Sequence, residues 1–152
     1  MEIIENNAHI EITSEKKSIV LADEAIQVDG MNIDFPGEYE KSEILIHAAE
    51  FGNSIVYELR IEGRVIAYLP PSCREASEEL SGFFQNLDIL VLQGSKDAAK
   101  ISEILDARIV VPYGEGKDSF LTAFGQAIEA TDKFKPKEVD FEGESTVFVR
   151  LG

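Results

Sequence analysis

Tryptophan is absent from this chain of 152 residues, cysteine occurs once and histidine twice. One cysteine excludes an internal disulfide framework and suits a reducing, cytoplasmic setting. The two histidines, His9 and His47, stand far apart in sequence, and a catalytic zinc site needs at least three protein ligands and an open position. Basic residues are scarce as well. Fourteen lysines and arginines face 29 acids, for a net charge of −15, and they are scattered rather than clustered. Such a chain repels phosphate backbones and anionic membranes, so neither nucleic acid nor membrane is expected as a partner. No apolar run is long enough to cross a bilayer, and the start, Met1-Glu2-Ile3-Ile4-Glu5, is acidic where a secretory leader would be basic.

What remains is a globular composition. Hydrophobic residues make up 44% of the chain, enough to fill the core of a single domain over residues 1–152. No repeat, low-complexity stretch or linker divides it. The first 70 residues carry strand signals: alternation at 10–13, an apolar run at 18–22 after a polar turn at 14–17, and short strands at 24–29 and 31–35 separated by Gly30. Segment 44–48 and a hairpin at 53–61 and 64–69 around Glu62-Gly63 continue the pattern. From residue 72, strands alternate with helices. Ser72-Cys73-Arg74-Glu75 has the form of a capping box, ahead of an apolar stripe at Ala76, Leu80, Phe83 and Phe84. Strand 88–92, a helix capped by Ser95 with Ala98, Ile101, Ile104 and Leu105 facing the core, and strand 108–112 make a right-handed βαβ unit. A helix at 118–130 with Phe120, Leu121, Phe124 and Ile128 on one face, and a final strand at 146–151, complete the chain.

One motif goes beyond pattern. In Asp34-Phe35-Pro36-Gly37-Glu38-Tyr39-Glu40, proline presets φ and glycine can take a positive φ, which reads as a turn between two strands. With the hairpin that follows, this stretch resembles the metallo-β-lactamase-fold hydrolases, in particular a branch with a Pro-Gly-Glu-Tyr-Glu turn before its second half. The resemblance runs over residues 31–151. It implies an α/β fold, a four-layer αββα sandwich with a β-rich first half and a βαβ second half, here reduced at the N-terminal side. It also implies zinc, held by a His-x-His-x-Asp-His loop and further histidine and aspartate ligands that generate hydroxide. Those ligands are missing. Ala22-Asp23 passes almost directly to the strands before Pro36. Ala49-Glu50-Phe51-Gly52, Tyr68-Leu69-Pro70-Pro71 and Val111-Pro112-Tyr113-Gly114 stand where the other ligands belong. The expectation is a fold without its metal, with no catalytic residue and no cofactor.

By analogy with the family, a surviving cleft would lie at the strand ends, near Glu50, Phe51, Pro70, Pro71, Gln93, Gly94, Ser95, Pro112 and Tyr113. Cys73 falls at an expected helix start, where a thiol pKa drops, but no histidine stands beside it in sequence, and it reads as a small residue of a first turn. Gly114-Glu115-Gly116-Lys117-Asp118-Ser119 lacks the spacer and the hydroxyl after lysine of a phosphate loop, and reads as a lead into the helix capped by Asp118. His9 reads as surface or hairpin decoration and His47 as a hydrogen-bonded structural histidine. Three functions stay open: a non-catalytic binding or assembly protein, a metal-dependent hydrolase with an atypical site using Glu50 and His47, and an accessory protein that forms a homodimer through an exposed sheet.

Overall fold

A computed structural model describes all 152 residues. Strands β1 (Glu2–Asn6), β2 (His9–Ser14), β3 (Lys17–Ala22), β4 (Ala25–Val28) and β5 (Met31–Ile33) form an antiparallel meander in chain order. The turns Asn7-Ala8, Glu15-Lys16 and Asp29-Gly30 have both residues at positive φ. That conformation matches the right-handed twist of the flanking strands, which makes two-residue hairpins possible. Only the last of the three carries glycine, so β1 and its hairpin leave little trace in the sequence.

The chain then crosses to a second sheet. Pro36-Gly37 turns the chain between two strands, as the sequence suggested, but the second of them begins at Gly37 itself rather than at residue 44. It is the bend between sheets, and Gly37 opens strand β6 (Gly37–Lys41). The Tyr39 hydroxyl donates to the Phe35 carbonyl at 2.7 Å and ties the bend. Strands β7 (Ile44–Phe51), β8 (Ser54–Ile61) and β9 (Arg64–Leu69) follow antiparallel, and β10 (Ile89–Gln93), β11 (Ile109–Tyr113) and the short β12 (Val147–Phe148) add in parallel. The order across this sheet is β12-β11-β10-β9-β8-β7-β6. Crossover helices α1 (Glu78–Phe83) and α2 (Lys96–Leu105) precede β10 and β11, and α3 (Lys117–Ala123) follows β11.

Alternation along the strands separates two cores. Ile10, Ile12, Ile19 and Leu21 of the first sheet meet Ile46, Leu59, Ile66, Val91 and Val111 of the second. On the other face of the second sheet, Val56, Ala67, Leu90 and Val110 pack against Leu80 of α1 and Phe84 just after it, Ile101 and Leu105 of α2, and Phe120 and Leu121 of α3. Continuous apolar stretches such as Ile89-Leu90-Val91-Leu92 arise because these parallel strands are buried on both faces.

The expected four layers become three. Helices α1–α3 cover one face of the seven-stranded sheet, and the outer face of the meander carries polar residues such as Glu11, Thr13, Ser18 and Gln27 instead of a helix. A fourth helix, α4 (Glu138–Glu142), was not foreseen. It packs by the start of β9, where Arg64 reaches Glu138 at 2.7 Å and lies 3.8 Å over the Phe141 ring. Three helix boundaries also shift. Ser77, not Ser72, caps α1, accepting from Leu80 N at 3.1 Å. Gly116, not Asp118, precedes α3, which ends at Ala123, and Asp118 instead holds Arg150 at 3.0 Å. Ile104 is 52% exposed, and Ser102 takes the buried place on α2. The last strand shrinks to Val147–Phe148, with an isolated bridge from Leu151 to Thr131. No helix is long and apolar enough to cross a membrane.

Candidate functional site

Strands β9, β10 and β11 all end at one end of the sandwich, beside the β7–β8 turn. On the inter-sheet side of that end, Tyr57 (β8), Tyr68 (β9) and Tyr113 (β11) form a buried row, with ring centroids 6.1 and 6.3 Å apart. Each tyrosine sits at an inward position of its strand, so the row follows from register. Its hydroxyls do not face open solvent. The β3–β4 turn, Asp23-Glu24, closes over them: Tyr68 donates to the Asp23 carbonyl at 2.7 Å, and Tyr57 to the Glu24 carbonyl at 2.9 Å. The Tyr68 and Tyr113 hydroxyls lie 3.1 Å apart. Burial pushes Tyr57 and Tyr113 up to about 12 and holds Tyr68 well above the ordinary phenol range, so all three keep their protons at neutral pH.

Carboxylates flank the row on two sides. The Glu24 carboxylate accepts from Ser72 N at 3.2 Å and from the Ser72 hydroxyl, which is 2.8 Å from the Ser54 hydroxyl. Ser72 is thereby a strut between the turn and β8 rather than a helix cap. On the far side Glu5 accepts from Lys117 Nζ at 3.1 Å and from Gly114 N at 3.4 Å, and Lys117 also donates to the Leu151 carbonyl. The glycine-rich lead into α3 therefore presents its lysine to a carboxylate of its own chain.

Behind this end, between the ends of β9 and β10 and the start of α2, lies a slot of about 130 Å³. Pro70, Pro71, Gln93 and Ser95 line it, with Leu69, Leu92 and Ile101 as its apolar wall and Arg74 and Asp97 at its polar rim. A wider, open groove of about 740 Å³ adjoins it, lined by Glu50, Phe51, Ser54, Ser72, Glu75 and Glu79 among others. Cys73 and Arg74 belong to both and form the wall between them. Burial pushes the Cys73 thiol up, opposite to the effect expected at a helix start. The reason is that segment 71–77 is irregular and the helix begins later.

Of the nine residues expected at the cleft, Pro70, Pro71, Gln93 and Ser95 meet in the slot, and Glu50 and Phe51 in the groove. The other three line neither. Tyr113 points between the sheets, and Pro112 is buried in β11 opposite Leu92. Gly94 is pressed against another backbone, where an added Cβ would lie 2.6 Å from the carbonyl carbon of Gly116. Ser95 has a second task, since its hydroxyl caps α2 by accepting from Ala98 N at 3.0 Å. Arg74, Asp97 and the turn Asp23-Glu24 were missed, because nothing periodic or motif-like marks a residue brought in by a loop.

The two histidines lie elsewhere. His47 stands on the helix side of β7, between Glu38 and Glu58 on neighbouring strands, with its ring 4.7 Å from Phe83. His9 closes the β1–β2 hairpin, 3.7 Å from Glu11.

The whole chain superimposes on a protein from Thermotoga maritima described as a Zn-dependent hydrolase assigned to the metallo-β-lactamase superfamily. The TM-score is 0.78 at 17% identity, over 99% of this chain and 98% of that one. At that identity the likeness is one of fold. No family model matches the sequence, and no curated protein does. The fold is thus metallo-β-lactamase-like, and the fold implies zinc. The residues at the strand ends do not fit it. They are protonated phenols, the engaged carbonyls of a turn, a lysine, and the Glu24 and Glu5 carboxylates on opposite sides, bonded to Ser72 and Lys117, and nowhere in the chain do three His, Cys, Asp or Glu side chains gather as a metal would require.

Proposed function

We propose that this protein binds rather than catalyses, and that its ligand enters the slot and groove divided by Cys73 and Arg74. The observation that carries the reading is the Asp23-Glu24 turn, whose carbonyls take the Tyr68 and Tyr57 hydroxyls at the strand ends. With the turn seated there, the nearby Glu24 and Glu5 carboxylates lie on opposite sides of the row and are taken up by Ser72 and Lys117, whereas the slot keeps an apolar wall with Arg74 and Asp97 at its rim. Apolar walls with a few convergent polar groups are the usual make-up of a small-molecule site.

Two measurements test this. After equilibrium dialysis against zinc, elemental analysis should find no stoichiometric metal, and His47→Ala should change nothing. One zinc per chain, lost in that variant, would establish a metal-dependent hydrolase with an atypical site instead. A fragment screen by thermal shift and NMR should give hits that perturb Gln93 and Arg74 and weaken in Arg74→Ala. Hits that map elsewhere, or none, would remove the slot as the binding site.

A further inference from the structure

We propose that strand β6, the free edge of the seven-stranded sheet, accepts a basic extended segment of a partner protein as an additional strand. This surface is separate from the slot and groove and does not depend on them. The turn Ser42-Glu43 has both residues at positive φ and joins β6 to β7 as a two-residue hairpin. In such a hairpin Lys41 and Ile44 form a hydrogen-bonded pair, so by alternation the N–H and C=O groups of Glu38 and Glu40 point to the open edge. No loop backbone pairs with them. Three of the other sheet edges differ: β1 exchanges bonds with Phe134, while β5 and β12 are only three and two residues long.

Charge selects the occupant. Glu38 and Glu40 are exposed on the helix side of the sheet, beside His47, which α1 reaches through Phe83, and Leu45, which is 49% exposed. Arg60, in register with Leu45, is turned to Glu58 at 3.7 Å. An added strand sets alternate side chains next to Glu38 and Glu40, where cationic groups are favoured, and the residue between them beside Tyr39. The recognised pattern is Lys/Arg, apolar, Lys/Arg in extended form. The same geometry opposes a second copy. Two-fold pairing of β6 with itself keeps like faces together, so every register that overlaps these residues sets glutamate against glutamate. Self-repulsion at −15 per chain adds to that cost.

The test uses the full chain, isotope-labelled, titrated at about 0.1 M salt with a peptide alternating lysine and valine. An equally charged peptide with proline for valine, which cannot form a strand, serves as control. Saturable binding of the first peptide alone is expected, with shifts centred on residues 37–41 and slower amide exchange at Glu38 and Glu40. The double variant E38K/E40K should weaken it roughly tenfold or more, while E103K/E129K, at exposed glutamates elsewhere, should not. Equal binding of the proline peptide, or an equal loss in E103K/E129K, would reduce the effect to bulk charge and overturn the proposal. So would no binding, or a dimer whose interface maps to residues 37–41.

Discussion

Tyr68 does most to fix the strand end, because its hydroxyl joins the Asp23 carbonyl to Tyr113. Removing it leaves a buried carbonyl without its partner, so Tyr68→Phe should lower unfolding stability by about 1–3 kcal/mol in urea titration. The same residue controls an alkaline transition. Unfolded tyrosines lose their protons near pH 10, while Tyr57 and Tyr113 hold theirs to about 12 and Tyr68 beyond. The folded chain therefore binds more protons than the unfolded chain above pH about 10. Stability from these groups is intact below that pH and falls as pH rises, with a slope approaching about three protons. In Tyr68→Phe the slope should drop by about one proton, and an unchanged slope would show that the row titrates freely. Gly37 presents a second residue-scale case. Its φ of 156° is at the limit of what other residues adopt, and an added Cβ would meet the Tyr39 hydroxyl at 3.3 Å. Gly37→Ala should cost about 1 kcal/mol, and unaltered thermal unfolding would refute the role given to this bend.

At the scale of elements, the close approach of two loops sets where α2 and α3 begin. Gly94 follows β10 directly and its N–H donates to the Tyr113 carbonyl at 2.8 Å, and its Cα faces the Gly116–Lys117 peptide. A methyl group there would meet backbone atoms at 2.6 Å, and backbone at the start of a packed helix cannot swing aside as a side-chain tip can. Gly94→Ala should destabilise by about 2 kcal/mol or more. Gly82→Ala is the natural contrast. Gly82 lies inside α1 with nothing within 4 Å of an added Cβ, so the change should stabilise by about 0.5 kcal/mol through helix propensity. Similar unfolding midpoints for the two variants would mean that the loops are not in contact. The Gly94–Gly116 contact also explains why the glycine-rich stretch before α3 serves packing and not phosphate binding.

For the molecule as a whole, net charge outweighs individual ion pairs. With −15 on a chain of this size, self-repulsion opposes the compact state, and the ion pairs are mostly at the surface, where each contributes little. Screening should therefore help more than it harms. Raising salt from about 0.05 M to about 0.5 M is expected to lift Tm by a few degrees. A fall in Tm would place the balance on the side of specific ion pairs.

Residue chemistry alone determined a good deal. The alternation at Ile10-Glu11-Ile12-Thr13, the hairpin at Glu62-Gly63, the βαβ unit and the Ser95 cap are local or nearest-neighbour facts, and periodicity and turn chemistry report those directly. The scarcity of histidine was equally legible, since two residues bound the imidazole ligands any site could draw on. The tertiary structure decided what stands at the strand ends. Asp23 and Glu24 read as an ordinary turn, and nothing near them in sequence announces Tyr57, Tyr68 or Ser72 as partners. Those contacts exist because two sheets pack face to face, and hydrogen bonds across a packed interface depend on register and layer order rather than on any local pattern. The third layer was settled in the same way: helix signals reveal that helices form, but which sheet face they cover is fixed only when the strands are ordered in space.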